Sequence, residues 1–364
     1  MTIFRNRKTH ICFFTALAAA AVLFFAGCAV PGTSSASGGT ASVQLFAMDT
    51  YMTITVYGED AEEAAEAASA EITRLDALLS AQDEDSEIYA LNEAGGGSLS
   101  GDTAYLISRA LEIADMTDGA FDIAVYPLMV LWGFPTQEYA VPDAEEIAAL
   151  LPAAEISNVI LTEAADASGD GAAGTLVLEN GAQIDLGGIA KGYLSDRMKA
   201  IFDEYDLTGA ICSLGGNICT YGAKTDGSEW NIGIQDPAGD TGTDVAGALT
   251  VSDVSVITSG GYERYFEEDG VTYHHILDPA TGYPADSGLA SVTIVSADGT
   301  LSDGLSTALF VMGEEEAVAF WQANSDLFEM ILIDENGDMT ISEGLDGNFS
   351  ANDGSVKVTV VTAE

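Results

Sequence analysis

The sequence of 364 residues has few basic residues: 11 Lys and Arg stand against 58 Asp and Glu, and the net charge is −47. Proteins that bind nucleic acids neutralise the backbone phosphates with Lys and Arg. This scarcity excludes a broad phosphate-neutralising face, so we expect no nucleic-acid partner. A phosphorylated ligand would meet strong repulsion, and its binding would require a divalent cation.

Histidine is scarcer still, with only three residues, His10, His274 and His275. His10 lies in an N-terminal segment that we expect to be removed. A side chain that titrates near neutrality in the mature protein must therefore come from the His274-His275 pair. Asp278, in the turn that follows, can orient one of the two rings. The alternative is that both histidines are packed or surface residues without a chemical role.

Only four cysteines are present, Cys12, Cys28, Cys212 and Cys219. Cys12 belongs to the N-terminal segment and Cys28 follows it. Cys212 and Cys219 flank a Gly-Gly-Asn turn, so a disulfide across a hairpin is one interpretation. We favour two small buried thiols, and two cysteines alone are too few for a metal site.

The N-terminal segment has the pattern of a secretory signal. Three basic residues within 5–8 precede an almost unbroken apolar run over 11–26. The run ends in Ala-Gly-Cys28, which resembles a bacterial lipobox, where the cysteine becomes the lipidated N-terminus. A retained signal anchor with an incidental cysteine is the alternative. We expect a signal peptide over 1–27 and a protein that is lipid-anchored to the bacterial cell membrane on its extracytoplasmic side.

The mature chain divides into a tether and a folded part. Residues 28–42 are rich in Gly and Ser, which predicts a flexible tether. Hydrophobic residues make up 48% of the chain, enough to bury a core. We expect one domain over 43–364.

The apolar pattern mixes helices and strands. Alternation over 42–57 predicts a strand, and the spacing over 61–80 predicts a helix. The apolar face of that helix consists of Ala61, Ala64, Ala65, Ala68, Ile72, Leu75 and Leu79. Further predicted elements are a polar connection over 80–92, helices near 102–117, 189–205, 303–312 and 314–324, strands at 175–179, 183–186 and 355–361, and a hairpin turn at Asn336-Gly337. Because the alternation of a doubly wound sheet is missing, we expect an α+β fold with mixed sheets and packed helices.

A glycine-rich segment, Asp185-Leu-Gly-Gly-Ile-Ala-Lys191, lies between a predicted strand and a predicted helix. Its glycines allow a ligand to approach the backbone, and the helix start offers free N–H groups. Lys191 adds a positive charge in the first turn. These features predict a phosphate cradle. The alternative is a tight turn in which Asp185 and Lys191 form an ion pair.

A second polar segment, Ser302-Asp303-Gly-Leu-Ser306-Thr307, opens a predicted helix with Ser302 or Thr300 as its N-cap. Asp303 and Thr307 are four residues apart, so both side-chain oxygens project from one helix face. Carboxylate, hydroxyl and carbonyl oxygens are ligands suited to Mg²⁺. The alternative is a polar helix start without a metal.

Together with further motifs, these segments resemble the ApbE family. The further motifs, in chain order, are Met48-Asp-Thr50, Gly119-Ala-Phe-Asp122, Leu131-Trp-Gly-Phe134, Gly215-Gly-Asn217 and Ser259-Gly-Gly-Tyr262. The resemblance covers residues 43–345 and implies an ApbE or T-fold-like architecture. It also implies the family's activity, FAD:protein FMN transfer. Such proteins bind FAD, use Mg²⁺ on its pyrophosphate, release AMP and attach FMN to a Thr or Ser hydroxyl of a partner flavoprotein.

The resemblance implies a role for individual residues. His275 would take the proton from the acceptor hydroxyl. The side chains of Asp303 and Thr307 and the carbonyl of Gly188 would bind the metal, with Ser306 at a further metal-linked position. The implied FAD contacts are Met48, Gln82, Ala120, Phe121, Asp122, Asp185, Lys191 and Leu277.

Gln82 departs from the family's pattern. It stands on the flavin side of the site, where many relatives carry Tyr, and some relatives with a smaller polar residue there mainly hydrolyse FAD to FMN and AMP. Three functions follow: FMN transfer, which we favour, Mg²⁺-dependent FAD hydrolysis, and flavin storage by a lipoprotein without activity. The intact set of His275, Asp303 and Thr307 argues against storage. The expected acceptor is a secreted flavoprotein or a flavin-bearing subunit of an electron-transfer complex.

Overall fold

The structure, a computed structural model, describes residues 39–163, 173–239 and 243–363. The predicted signal peptide, Cys28 and most of the predicted tether lie outside these ranges. The first strand begins at Gly39, so residues 39–42 belong to the sheet rather than to a tether. Within the described ranges, no helix is both long and apolar enough to cross a membrane.

Eight α-helices and 17 strands form in the described part of the chain. The helices are α1 Ala61–Leu79, α2 Glu87–Ala94, α3 Gly101–Met116, α4 Tyr126–Trp132, α5 Ala144–Leu150, α6 Ala190–Phe202, α7 Gly299–Met312 and α8 Glu314–Ala323. The strands are β1 Gly39–Ala47, β2 Thr50–Gly58, β3 Gly96–Leu99, β4 Val159–Glu163, β5 Gly174–Leu178, β6 Leu207–Leu214, β7 Asn217–Gly222, β8 Trp230–Gln235, β9 Val245–Val251, β10 Ser255–Gly260, β11 Tyr265–Glu268, β12 Val271–His274, β13 Leu289–Ser296, β14 Glu329–Asp334, β15 Met339–Ser342, β16 Phe349–Ala351 and β17 Val358–Val361.

Nine strands form one large sheet, in the order β1-β2-β6-β7-β10-β13-β14-β15-β17. Neighbours are antiparallel except for β15 and β17, which are parallel. Two three-stranded sheets, β16-β9-β8 and β3-β5-β4, and the hairpin β11-β12 stand beside it. The α+β class is confirmed.

The large sheet is covered on both faces, as β14 shows. Successive side chains of a strand point to opposite faces. Met330 and Leu332 pack into the same core as residues of α1, α6, α7 and α8, whereas Ile331 and Ile333 pack with Trp230 of β8. Helices therefore cover one face, and the sheet β16-β9-β8 covers the other.

The predicted helix over 61–80 is confirmed as α1, and all seven residues of its predicted face are buried. The helices expected near 102–117, 189–205 and 314–324 are also confirmed, as is the hairpin turn at Asn336-Gly337 between β14 and β15. Cys212 and Cys219 lie directly opposite each other on β6 and β7, as buried free thiols.

The single strand predicted over 42–57 is wrong, because the chain reverses at Met48-Asp49 to form β1 and β2. Both turn residues have positive φ, 48° and 59°, a conformation that usually takes Asn-Gly in a two-residue hairpin turn. The sequence signal for this reversal is a change of phase in the alternation of inward and outward residues. The inward positions are odd-numbered up to Ala47 and even-numbered from Met52 onward.

The strand predicted at 183–186 is also wrong, because this segment pairs with no described strand. The buried amide of Asn92 takes the place of a strand: its Nδ2 donates to the Ile184 carbonyl and its Oδ1 accepts from the Ile184 N–H, both at 2.8 Å. Asn92 belongs to α2, which forms within the connection predicted over 80–92. Ser86 caps this helix and Gly95 ends it in a left-handed conformation, two local signals that predict a helix.

Candidate active site

A cavity of about 710 Å³ lies at the β1–β2 turn, the start of α6, the middle of α7 and the end of β10. It brings together residues that are far apart in the sequence. Every predicted site residue of the folded part except Ser306 lines it, namely Met48, Gln82, Ala120, Phe121, Asp122, Asp185, Gly188, Lys191, His275, Leu277, Asp303 and Thr307.

Helices α6 and α7 cross in backbone contact beside this cavity. A Cβ on Gly192 would lie 2.2 Å from the carbonyl oxygen of Gly299 and 2.5 Å from the Cβ of Asp303, so only glycine fits. The contact lets the Gly192 N–H donate to Asp303 Oδ2 at 2.7 Å, while Asn217 Nδ2 donates to Oδ1 at 3.0 Å. Both carboxylate oxygens are thereby fixed in place.

The two helices also cap each other. The N-cap residue of α6 has no side-chain cap bond, and Asp303 of α7 supplies an acceptor for the Gly192 N–H of the first turn. In return, Asp196 of α6 accepts from the N–H groups of Gly299 and Thr300 at 2.7 and 2.8 Å. The predicted cap of α7, Ser302 or Thr300, is wrong, because Asp298 caps a helix that begins earlier, at Gly299.

The oxygen atoms at this crossing fit a hard cation. Asp303 is only 4% exposed and forms no ion pair with a described residue. Burial raises the pKa of Asp303, and the charge of Lys191 opposes that rise. The hydroxyl of Thr307 and the backbone of Gly188 line the same cavity. Among the described residues, no three His, Cys, Asp or Glu side chains form a cluster that could hold a metal.

Ser306 lies one layer behind the cavity. It is fully buried, and its hydroxyl donates to the Asp303 carbonyl at 2.8 Å. Ser259 of β10 stands in front of it, 2.7 Å from Ser306 Oγ and 3.4 Å from Thr307 Oγ1. The hydroxyl that faces the cavity beside Thr307 is therefore that of Ser259, and Ser306 supports it from behind.

The segment predicted to form a phosphate cradle leads into α6, without a strand before it. Lys191 is in the first turn, and its Nζ donates to the Gly187 carbonyl at 3.4 Å. Asp185 and Lys191 form no ion pair in the described structure. Asp185 Oδ1 instead accepts from the Gly187 N–H at 2.7 Å. Burial raises the pKa of Asp185, an effect that this hydrogen bond and the charges of Arg264 and Lys191 partly offset.

Beside the Asp185 segment, Asp122 lines the cavity between two backbone donors. Its carboxylate accepts from the N–H groups of Ala124 at 2.6 Å and Ile156 at 2.9 Å. Burial nevertheless raises the pKa of Asp122 to about 7. Near the cavity mouth, the Met48 N–H donates to Asp76 Oδ1 at 2.7 Å, which fixes the β1–β2 turn against α1.

The structure separates the two neighbouring histidines. His275 lines the cavity, and its Nδ1–H donates to the Arg264 carbonyl at 3.1 Å. Nε2 is therefore the nitrogen that can accept a proton. Burial, followed by the charge of Arg264, lowers the pKa of His275 to about 3, so the ring is neutral at physiological pH. His274 does not line the cavity; its Nε2 lies 3.0 Å from the Ala285 carbonyl, and its ring packs edge-on against Phe310.

The pKa of His275 predicts a pH-dependent stability. Between the folded value of about 3 and the ordinary 6.5, the unfolded chain binds a proton that the native ring does not. The free energy of unfolding therefore falls as the pH is lowered through this window. We compare the free energy of unfolding of each protein at about pH 5 with its own value at about pH 7.5. The decrease should be about 2 kcal/mol larger for wild type than for His275→Gln. Urea unfolding of both proteins at each pH measures this, and parallel pH curves would contradict it.

Several lining residues escaped the sequence-based prediction, above all Glu263 and Arg264 after β10 and Asp76 on α1. For Arg264 a signal was available, since the chain has few basic residues and this one stands two positions after the Ser259-Gly-Gly-Tyr262 motif. The sequence placed Asn217 in a turn and in a family motif but assigned it no contact. Its bond to Asp303 joins distant parts of the chain, and sequence spacing does not reveal such a contact.

Comparison with known proteins agrees with this geometry. The sequence profile of the ApbE family matches residues 48–332. The FAD:protein FMN transferase of Klebsiella pneumoniae (strain 342) is 36% identical over 295 residues, 80% of this chain and 89% of that protein. The one from Treponema pallidum (strain Nichols) is 40% identical over 254 residues, 66% of this chain and 69% of that protein.

Solved structures of the family have the same fold. The crystal structure of the ApbE protein from Thermotoga maritima matches with a TM-score of 0.76 and 36% identity, over 85% of this chain and 99% of that one. The flavinyl transferase ApbE from Pseudomonas stutzeri, in its apo form, matches with a TM-score of 0.74 and 27% identity, over 87% and 98%. The chain therefore belongs to the ApbE family.

Proposed function

We propose that this protein is an FAD:protein FMN transferase that moves FMN from FAD to a Thr or Ser hydroxyl of a partner flavoprotein and releases AMP. The observation that carries the proposal is the joint placement of a proton acceptor and a buried carboxylate without a cation partner, His275 and Asp303, in one cavity. The names of the relatives from Klebsiella and Treponema support it. The acceptor we propose is a secreted flavoprotein or a subunit of an electron-transfer complex.

Each side chain has a task in this reaction. Asp303, Thr307 and the Gly188 carbonyl would hold Mg²⁺, which when bound neutralises charge on the pyrophosphate oxygens. Lys191 and the N-terminus of α6 attract the same group. The acceptor hydroxyl gives its proton to His275 Nε2 while its oxygen bonds to the phosphorus of the FMN moiety. The bond from that phosphorus to the bridging oxygen breaks, and AMP leaves with the electron pair.

The assay that tests the function uses purified protein, FAD and Mg²⁺, with and without a candidate acceptor. AMP together with a fluorescent acceptor band supports the transferase. AMP that is equally abundant without an acceptor, with no labelled band, would replace the transferase with a hydrolase. If neither product forms with acceptors that an established relative labels, the protein is a flavin carrier and the proposal fails.

FAD hydrolysis is the second candidate, and Gln82 favours it. Its side chain is exposed at the cavity and hydrogen bonds to no described residue. The backbone N–H of Gln82 donates to Ser80 Oγ at 3.2 Å. A small polar side chain covers less of the flavin side than a Tyr ring would, so water has easier access to the reacting phosphorus.

Gln82→Tyr should shift FAD cleavage from water towards the acceptor. We expect the ratio of labelled acceptor to AMP to rise, with total AMP changed by less than about threefold, because residue 82 lies on the flavin side and not at the metal ligands. Chromatography of AMP and in-gel flavin fluorescence measure the two quantities. Gln44→Tyr, on the exposed face of β1, is the matched control. An unchanged ratio in Gln82→Tyr would remove residue 82 from the choice of nucleophile.

We also propose that Cys28 is lipidated and anchors the protein to the outer face of the cell membrane. Wild-type protein should then fractionate with membranes, and mass spectrometry should find an acylated N-terminal Cys28. Cys28→Ser should lose the lipid and remain uncleaved or become soluble. Mature wild-type protein without the lipid in the cytosol would contradict this location.

A further inference from the structure

Arg264 stands in the cavity without a role in the reaction described so far. The turn that carries it, between β10 and β11, is tightly packed. A Cβ on Gly260 would lie 2.4 Å from the Tyr262 ring, and one on Gly261 would lie 2.9 Å from the His274 ring. Because this turn is built on such close contacts, the position of Arg264 at the cavity wall is a fixed feature of the fold.

The backbone of Arg264 is bound to that of the candidate base. Its carbonyl accepts from both the backbone N–H and the Nδ1–H of His275, at 3.0 and 3.1 Å. The next residues, Tyr265 and His274, pair across the β11-β12 hairpin. A change of the Arg264 side chain therefore leaves the contact that orients His275 in place, because that contact is made by the main chain.

Within the described part of the chain, no carboxylate forms an ion pair with the guanidinium of Arg264. The other arginines of the described chain, Arg74, Arg109 and Arg197, all form ion pairs at 2.7–2.8 Å. Arg264 forms none with a described residue, although acidic side chains outnumber basic ones at the cavity. Arg binds phosphate oxygens through two parallel N–H groups. An unpaired arginine at a phosphate-binding cavity of so acidic a protein is placed to receive an anionic ligand.

The charge of Arg264 reaches two functional groups. It lowers the pKa of His275 and that of Asp185. Lys191 acts on the pKa of both groups in the same direction, so the cavity holds two cations, Lys191 of α6 and Arg264 of the turn after β10. Lys191 belongs to α6, which crosses α7 at Asp303, whereas Arg264 is the cavity-lining cation whose main chain is bound to His275.

We propose that the guanidinium of Arg264 binds the phosphate next to the riboflavin moiety of FAD, the phosphoryl group that the acceptor hydroxyl attacks. This inference rests on the proposed function. Charge spreads over the non-bridging oxygens of a phosphoryl group during transfer, and a fixed cation stabilises it there. Arg264 would hold this group in line with His275 Nε2, opposite the leaving AMP.

The test is ligand binding without turnover, in excess EDTA. Riboflavin, FMN and AMP are titrated into wild type, Arg264→Met and Arg264→Lys, followed by flavin fluorescence or by calorimetry. Arg264→Met should weaken FMN binding about 10–100-fold, the usual loss for a charge-assisted contact, with riboflavin and AMP changed by less than about twofold. Arg264→Lys should restore part of the FMN affinity. Lys224→Ala, which removes a cation outside the cavity lining, should change none of them.

Several results would overturn this inference. Equal losses for riboflavin and FMN would show that Arg264 shapes the flavin site and binds no phosphate. A loss of affinity confined to AMP would show that Arg264 binds the other phosphate of FAD. Unchanged FMN binding would show that Arg264 binds neither the flavin nor its phosphate. These outcomes differ from a failure of the proposed function. Wild type that binds FMN through Arg264 but cleaves no FAD with Mg²⁺ would refute the transferase and leave the phosphate contact standing.

Discussion

Asp303→Ala is expected to abolish FAD cleavage at millimolar Mg²⁺, with a loss of at least about 10²–10³-fold, as for removal of a group that stabilises developing charge. Of the described acidic side chains on α6 and α7, the Asp303 carboxylate is the one that lines the cavity. Its removal also leaves the donors of Gly192 and Asn217 without their acceptor. We therefore expect a loss in the free energy of unfolding of about 1–3 kcal/mol as well.

Two variants separate lost chemistry from lost stability. Asp298→Ala removes the N-cap of the same helix and the ion pair with Arg109, which costs about 1 kcal/mol, yet it should keep nearly full activity. Thr307→Val keeps the volume and removes a hydroxyl at the cavity, so it should lower turnover with little effect on folding. AMP release is measured by chromatography and stability by urea unfolding. Full wild-type turnover in excess EDTA would refute the metal requirement.

His275→Ala should lower the rate of FMN transfer by about 10²–10⁴-fold, the usual contribution of a general base. FAD binding in the presence of Mg²⁺ should survive, since the imidazole has no part in holding the pyrophosphate. The measurement is covalent flavin fluorescence on an acceptor peptide, with FAD affinity determined in parallel.

The neighbouring histidine provides the control. His274→Gln changes a ring that lies outside the cavity and should transfer FMN at a rate close to that of wild type. Undiminished transfer in His275→Ala would remove the proposed base. A large loss in both variants, accompanied by weaker FAD binding, would mean that the β11-β12 hairpin had been disturbed and that His275 acts through structure alone.

Local patterns predicted the elements whose stability depends on one apolar face. The seven face residues of α1 repeat at helical spacing because they all pack against one side of the sheet. Two predictions failed where a distant group contributes, whereas the strand over 42–57 failed at a local change of phase. The amide of Asn92 takes the place of a strand next to Ile184, and Asp196 of α6 allows α7 to begin before its expected cap.

The composition of the site was predictable because its residues lie in short motifs, and the cavity collects nearly all of them. The sequence did not predict which of these side chains face the cavity directly and which lie behind it. Asp303 and Ser306 are neighbours on the same helix, yet the register of α7 against β10 places Ser259 between Ser306 and the cavity. The scarcity of basic residues pointed to Arg264, but its contact to His275 runs through its carbonyl across a hairpin, which no sequence spacing displays.

The mutual capping of α6 and α7 also provides a built-in probe of motion. The Gly192 amide hydrogen bonds to Asp303 at the point where the two backbones touch, so it can exchange with solvent only when the helices separate. Its exchange rate therefore reports the free energy of opening of this crossing, apart from that of the whole sheet. A ligand that bridges the two helices would slow this one amide even where the average structure stays the same.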